Sequence, residues 1–483
     1  MPLVKSWQLI AGAAVAGLAL SVAVVAAAGP WDSGQRKAER DRAASWGLTG
    51  GTDHGDGPGS GPLPQAAPSA PGVLGAIGPG AARGQAAAPA PSGKLAAALK
   101  PLLADPALGT VRTASVVDTA TGQVLYESGA RDAMTPASTV KIVTAAAALA
   151  ALGPERRIRT TVVPGAAPGQ IVLVGGGDPS LTAKKKSPAG SGGSLVALAA
   201  DTAQALKAAG TDTVTLGYDD SLYTGPARHP IGLNPNIALV TALTADEGRP
   251  DDSTSGPVDR AEDPSKDAAR AFRTLLTERG IKVTGEPART KPAAGDAPAQ
   301  PLATTLSTPV AGLVERMLTN SDNDIAEALA RQTALASGQP ASFEGAEKAV
   351  AAKLAALGVD TAGSRFADGS GLNRADKVSA GLLTGLLAKA ADPQRPELRP
   401  VLTGLPVAGF TGTLRGRNAG TSPAAGLLRA KTGTLTGVNS LSGTVVDPSG
   451  RLLAFAFLTA NSPGPEGAEK ALDKLAAAVA TSS

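Results

Sequence analysis

At 483 residues the chain exceeds one typical domain, so two or three compact units are expected. Apolar residues make up 43% of it but aromatic residues only 2%, so its cores are Ala, Leu and Val packing and nothing is left to stack bases or sugars. A formal charge of +4, from 45 basic and 41 acidic residues, is too small and too dispersed for a nucleic-acid partner; the lack of cysteine excludes disulfides, thiol catalysis and thiolate metal sites but leaves the compartment open.

The N-terminus reads as an export signal. Lys5 precedes an unbroken run of apolar or small residues from Leu9 to Gly29, which ends Val25-Ala-Ala-Ala-Gly29 before Pro30. The small-residue end suits a signal-peptidase site, and the length, near the ~20 residues that span a bilayer, suits an uncleaved anchor. Residues 1–29 are therefore expected to be a signal peptide or a single membrane anchor, and the chain to work in the cell envelope or outside the cell. Residues 30–93 turn Gly-, Pro- and Ala-rich, cannot bury enough apolar surface to offset chain entropy, and read as a disordered tether. His54 lies in it, and the other histidine, His229, precedes Pro230 and reads as a loop residue. Histidines so placed leave a histidine-based hydrolase or a zinc enzyme without its chemistry; no metal or cofactor is expected, and a lysine must serve as base.

Folded structure is expected from Lys94. Thr113 to Asp118 alternates as a strand, Thr121-Gly122 offers a turn and Gln123 to Glu127 returns, a hairpin pattern. Next comes Pro136-Ala-Ser-Thr-Val-Lys141, followed by an alanine-rich apolar run. Thr135 as cap and Pro136 in the first turn predict a helix whose positive end gathers at Ser138. Residues three apart share a helix face, about 5–6 Å between Cβ atoms, so the Lys141 amine reaches the Ser138 hydroxyl. A serine near neutral pH needs such a base. Alone, Ser-x-x-Lys arises by chance on the order of once in a chain this long and marks a solvated helix face.

Residues 159–300 read as an insertion of one or more accessory domains, with helices over Leu195 to Ala209 and Lys266 to Arg279 and a short strand over Thr213 to Leu216. The triple glycine Gly175-Gly-Gly177 lacks a following Gly-Lys-Ser/Thr and reads as a tight turn, not a phosphate loop. Beyond the insertion stand Ser321-Asp322-Asn323 and Lys431-Thr432-Gly433. Lys431 to Leu435 is expected as a strand, Leu441 to Val446 and Arg451 to Leu458 as a hairpin about Asp447-Pro-Ser-Gly450, and Glu466 to Ala480 as a closing helix.

Each core motif is weak singly, but Ser138-x-x-Lys141, Ser321-Asp322-Asn323 and Lys431-Thr432-Gly433 in this order are the set of active-site serine penicillin-binding proteins and β-lactamases. With the surrounding blocks Ala137 to Ala147, Ser321 to Arg331, Asp368 to Arg374 and Gly433 to Asn439, the chain from about Lys94 onward resembles the low-molecular-mass class C penicillin-binding proteins, D-alanyl-D-alanine carboxypeptidases/endopeptidases. Ser321 lies 183 positions after Ser138, more than the compact β-lactamases place there. No acidic loop follows Asn323 to resemble their deacylating glutamate, and Glu397 reads as a surface turn.

The resemblance implies an α/β (α+β) fold: a β-lactamase/transpeptidase-like catalytic domain, residues 94–158 and 301–483, with one antiparallel sheet flanked by helices and the insertion at 159–300. It implies a serine-type D-Ala-D-Ala carboxypeptidase, and DD-endopeptidase, acting on peptidoglycan stem peptides through an acyl-enzyme and binding β-lactam inhibitors. Ser138 would attack, and Lys141 would be a neutral base, kept so by burial and by the neighbouring Lys431. The oxyanion would sit between the Ser138 and Thr434 N–H groups. Ser321 would relay a proton to the leaving amine, Asn323 would hold the substrate amide, and Asp322 would face away to fix its own loop. Lys431, Thr432 and Thr434 would grip the terminal carboxylate in a row, past a Gly433 with no side chain to obstruct it. Asp368-Gly-Ser-Gly371 resembles a loop near the site but is equally an ordinary glycine turn, so Asp368 stays outside the catalytic set. Asn373 stands where many relatives have serine. The alternatives are a serine β-lactamase or esterase with the same acylation apparatus, and a noncatalytic wall-binding or antibiotic-sensing module.

Overall fold

The computed structural model describes residues 92–186, 192–292 and 300–482. The apolar N-terminal run and most of the tether, including His54, lie outside these residues. Helix α1 (Ser92–Leu103) leads into the hairpin β1 (Val111–Asp118) and β2 (Val124–Ser128). A 3₁₀ turn, Ala137–Val140, runs straight into α2 (Lys141–Leu152), and β3 (Arg159–Pro164), β4 (Gln170–Val174), α3 (Leu195–Ala208), β5 (Thr213–Asp219), α4 (Pro264–Glu278), β6 (Lys282–Arg289) and β7 (Ala303–Leu306) follow. Then come α5 (Val310–Asn320), α6 (Asn323–Ala336), α7 (Phe343–Ala356) and α8 (Ala380–Ala391). The described chain closes with β8 (Leu428–Leu435), β9 (Val438–Val446), β10 (Leu452–Ala460) and α9 (Pro465–Thr481).

Two five-stranded sheets result. The first, in the order β2-β1-β10-β9-β8, is antiparallel throughout and has the helices on its faces that the sequence leads one to expect. Strand alternation shows how it is sandwiched. Leu453, Phe455 and Phe457 of β10 enter the core shared with α1 and α9, while Ala454, Ala456 and Leu458, one position out of phase, enter the core shared with α2, α5, α6 and α8. Buried on nearly every side, α2 is the central helix of that second layer, as a helix apolar all round must be.

The second sheet has the order β6-β5-β4-β3-β7. Its β4, β5 and β6 are parallel, joined through α3 and α4 as crossover helices, whereas β3 pairs antiparallel with β4 and β7. The expected insertion therefore reaches past residue 300, because Ala303–Leu306 is the partner of Arg159–Pro164. The expected strand at Thr213 also runs further, to Asp219, since its parallel pairing with β4 extends to Val174↔Asp219. The triple glycine turns, and it also allows a close approach: a Cβ on Gly176 would overlap the Arg159 carbonyl.

The start of α2 differs from the capped helix expected. Thr135 makes no cap; its hydroxyl donates to the Arg374 carbonyl at 3.1 Å and accepts from Lys377 Nζ at 2.8 Å. The turn is fastened instead by Ser440 of β9, whose Oγ donates to the Pro136 carbonyl at 2.6 Å. Ala137 is held at φ +50°, a left-handed conformation costing a non-glycine residue about 1–3 kcal/mol. The second sheet rests on Phe272, fully buried among Leu, Val and Ala side chains. Phe272→Ala should cost about 3–5 kcal/mol, read as a lower denaturant midpoint of the transition in which that sheet unfolds; an unchanged midpoint would contradict this packing.

Candidate active site

Ser138 stands on the 3₁₀ turn and Lys141 at its junction with α2. The Lys141 side chain is fully buried, and its Nζ lies 2.6 Å from Asn323 Oδ1, 2.6 Å from the Ser370 carbonyl oxygen and 3.0 Å from Ser138 Oγ. A neutral amine has two N–H donors and one lone pair. The two carbonyl-type oxygens can only accept, so in the neutral amine they take the donors and leave the lone pair for the Ser138 hydroxyl; in the ammonium form Nζ donates to Ser138 Oγ as well, and that hydroxyl turns to the Ser370 carbonyl at 3.4 Å. Burial favours the neutral form: it lowers the Lys141 pKa to about 8, against the opposing fields of Asp368, Asp322, Glu327 and Asp376.

Ser321 and Asn323 arrive through a joint between two helices. Ser321 ends α5 in the left-handed conformation at φ +59°, and Asp322 begins α6 by accepting the Ile325 N–H at 3.0 Å. Asp322 thus serves its own helix, while Asn323 Nδ2 donates to the Asn236 carbonyl at 2.9 Å. Ser138, Ser321, Asn323 and Thr434 line one open cavity of about 510 Å³.

The third motif lies on β8, an edge strand. Ala430 N–H leaves that edge for the Pro406 carbonyl, and by the two-residue alternation the Thr432 and Thr434 N–H groups face the same side, away from β9. Gly433 passes so near the nucleophile that a Cβ there would stand 3.0 Å from Ser138 N and 2.7 Å from the Pro136 carbonyl. Ser138 N–H is among the first of its turn, which have no acceptor within it. The Ser138 N–H and the Thr434 N–H, next to the close approach at Gly433, are thus two backbone donors left open on this side of the site.

The structure does not set Lys431, Thr432 and Thr434 in a row. Lys431 is fully buried on the face opposite the threonines, and its Nζ donates to the Thr432 carbonyl at 2.7 Å. Burial first, then Lys141 and Arg417, push Lys431 well below the usual lysine range, and the repulsion between the two lysines acts on both. Cations that do face the cavity are Arg249, Arg260 and Arg374, of which the first two are paired with Glu247 and Asp324.

Other residues at the site were outside the expected set. The Asp368-Gly-Ser-Gly371 turn supplies the Ser370 carbonyl to Lys141 and packs against the nucleophile: Gly371, at φ +83°, has no room for a Cβ beside the Ala137 carbonyl. His229 is in a loop as expected, but it is buried, with Nε2 3.0 Å from Asp368 Oδ2 and 3.6 Å from Glu327 Oε1. Only the Asp368 to Arg374 resemblance pointed this way; nothing in the sequence marks His229. Ligand-type atoms gather at His229, Glu327 and Asp368 and again at Glu247, Asp322 and Asp324. Both groups are closed by the chain's own cations and N–H donors, Arg331 at the first and Arg260 and Arg316 at the second, a donor set that suits ion pairs.

A model of the D-Ala-D-Ala carboxypeptidase 3 (S13) family matches residues 95–254 and 240–480. Carboxypeptidase DacB of Mycolicibacterium smegmatis is 38% identical over 410 residues, covering 83% of this chain and 86% of that protein. Carboxypeptidase Rv3627c of Mycobacterium tuberculosis is 39% identical over 404 residues, covering 81% and 84%. The crystal structure of penicillin binding protein 4 (dacB) from Haemophilus influenzae shares the fold with a TM-score of 0.63 at 23% identity, covering 80% of this chain and 98% of that one. The close passage of β8 gives a direct check: Gly433→Val should cut the reaction of Ser138 with acylating agents by about 10²-fold, and labelling at the unaltered rate would show that this approach is not needed.

Proposed function

The chain belongs to the D-Ala-D-Ala carboxypeptidase 3 (S13) family, and from that premise we propose how its cleft works as a serine-type D-Ala-D-Ala carboxypeptidase. The reading is carried by one observation, the Lys141 amine held by two acceptors with Ser138 Oγ at its remaining position. Lys141 takes the Ser138 proton as Oγ attacks the carbonyl of the penultimate D-Ala. The oxyanion forms between the Ser138 and Thr434 N–H groups, donors whose individual loss typically costs about 10²–10³ in rate. Ser321, on the far side of the cavity, passes the proton to the leaving amine, and Asn323 orients the peptide amide. Water then releases the acyl-enzyme.

Carboxylate capture combines two faces of β8. Thr434 and Arg374 meet the substrate in the cavity. Lys431 lies on the same face of β8 as Gly433, toward the nucleophile turn, and an anion arriving nearby raises the pKa that burial has lowered. Gly433 keeps the approach open. The cavity is open to solvent, which leaves room for a crosslinked peptide, and DD-endopeptidase activity is part of this reading. A β-lactam enters the same acylation path; a crystal structure of the Haemophilus influenzae protein holds one. The apolar run from Leu9 to Gly29 and the tether after it support work in the cell envelope or outside the cell, on peptidoglycan stem peptides, after export by a signal peptide or on a membrane anchor.

Intact-mass analysis after incubation with penicillin should show one adduct per chain, mapped to Ser138 and lasting many minutes. Labelling elsewhere or none overturns the reading, and release within seconds would make the protein a β-lactamase. Because the base must be unprotonated, acylation should fall tenfold per pH unit below about 8 and level off above it; a rate independent of pH across that value would remove Lys141 from the role.

A further inference from the structure

Beneath the active site lies a buried ionic cluster that the reaction itself does not use. Its members come from three parts of the chain: His229 from the inserted region, Glu327 and Arg331 from α6, and Asp368 and Asp376 from the loop before α8. All five are buried. Asp368 is its hub. Oδ1 accepts the Ser370 and Gly371 N–H groups at 3.0 and 2.6 Å, and Oδ2 accepts the Asn373 N–H at 2.7 Å and faces His229 Nε2 at 3.0 Å. Glu327 Oε1 accepts Gly369 and Ser370 N–H, both at 3.0 Å. Two carboxylates thus grip the amides of the short turn whose Ser370 carbonyl holds Lys141.

We propose that His229 is a positioning residue for the Lys141 base, holding Asp368 and, through it, the turn that aims the Ser370 carbonyl at the Lys141 amine. This deepens the reading given above and rests on it. His229 contacts neither Lys141 nor the cavity. Its own orientation is set by the Ile231 N–H, 3.3 Å from Nδ1, and by the Phe343 ring of α7, which meets the imidazole edge-on at 5.2 Å. Nδ1 accepts in the neutral ring, and in either protonation state Nε2 carries a proton and faces Asp368 Oδ2. Without that donor Asp368 is a buried carboxylate short of a partner, free to turn toward other donors and take the amides with it. A shift of about 1 Å in a positioned group can cost on the order of 10²-fold in rate.

The electrostatic consequence points the same way. Lys141 feels Asp368, Asp322, Glu327 and Asp376; His229 feels Asp368 and Glu327, which raise its pKa to about 9 despite burial; Arg331, 3.9 Å from Glu327 Oε2, balances the other side. Burial and the neighbouring Asp368 push Asp376 up to about 10, so it is neutral and able to donate. Removing His229 strips Asp368 of its nearest positive dipole or charge, strengthens its field at Lys141 and raises the pKa of the base.

The test is acylation of Ser138 by a fluorescent penicillin, followed against pH and penicillin concentration for wild type, His229→Ala and His229→Gln, with the thermal midpoint measured alongside. His229→Ala should lose about 10²-fold in the limiting acylation rate, with little change in half-saturating concentration, and its acid limb should move to higher pH. His229→Gln, which places an amide donor near the Nε2 position, should recover most of the rate. Equal rates and limbs in wild type and His229→Ala overturn the proposal. So does a loss that the glutamine fails to repair at an undiminished thermal midpoint, or one that follows the fall in midpoint in both variants. Wild type that forms no adduct at Ser138 would instead overturn the function itself, which keeps the two failures apart.

Discussion

Everything in the catalytic half is arranged around one buried amine. A lysine enclosed in protein is costly while charged, and the fold turns that cost into reactivity: Lys141 is offered two oxygen acceptors and one hydroxyl, partners that a neutral amine satisfies with its two donors and its lone pair. The surrounding carboxylates draw the other way, toward the ammonium form. A pKa of about 8 is the balance of the two, low enough to provide a base near neutral pH and high enough for it to hold the proton it takes from Ser138. A fully desolvated lysine without those carboxylates would be a poorer base, and one in an exposed ion pair would hardly be neutral at all.

Holding that amine falls to elements that leave little slack. Ser440 ties the 3₁₀ turn to β9, Gly433 lets β8 press against Ser138, and Gly371 lets the Asp368 turn press from the opposite side. Ala137 keeps its left-handed backbone between these contacts. Such strain persists only where the surroundings over-determine it, and here three independent segments do. The positive φ of Ser321 belongs with it: a residue of that conformation lets α5 stop and α6 start within one step, which puts the Ser321 and Asn323 side chains beside the same cavity.

Much of this was legible because hydrophobic alternation and short motifs are local. The hairpins at Val111–Ser128 and Val438–Ala460, the β8 strand and the last helix follow from period-two patterns and turn residues. The ordered motifs brought Ser138, Lys141, Ser321 and Asn323 to one place. What stayed hidden was set by tertiary geometry. Thr135 looked like a cap, but the chain twists at Ala137 and the hydroxyl goes to Arg374 and Lys377. Strand alternation separates Lys431 from Thr432 and Thr434, but that it is buried depends on neighbours far along the chain. His229 resembled any loop histidine before a proline, since a residue gains its partners at 327 and 368 only when the insertion folds back.

That return of the insertion decides what kind of architecture this is. A segment appended for an unrelated purpose would meet the catalytic half through an expendable surface. Here residues 229–260 enter its polar interior. Arg260 pairs with Asp324 at 2.7 Å and donates to the Glu247 carbonyl at 2.9 Å; Asp324 Oδ1 accepts the Ala238 N–H at 2.8 Å; Glu247, pushed up to about 8 by burial and by Asp322 and Asp324, pairs with Arg316 of α5. Breaking one buried pair of this kind typically costs about 3–5 kcal/mol, because the partner left behind keeps its charge without its neighbour. With the insertion gone, Asp324 and Asp368 would both be in that position, immediately beside Asn323 and Ser370, the two groups that hold the lysine. The segment that carries the second sheet is therefore part of the electrostatic framework of the active site, and its inner face is committed to the chemistry.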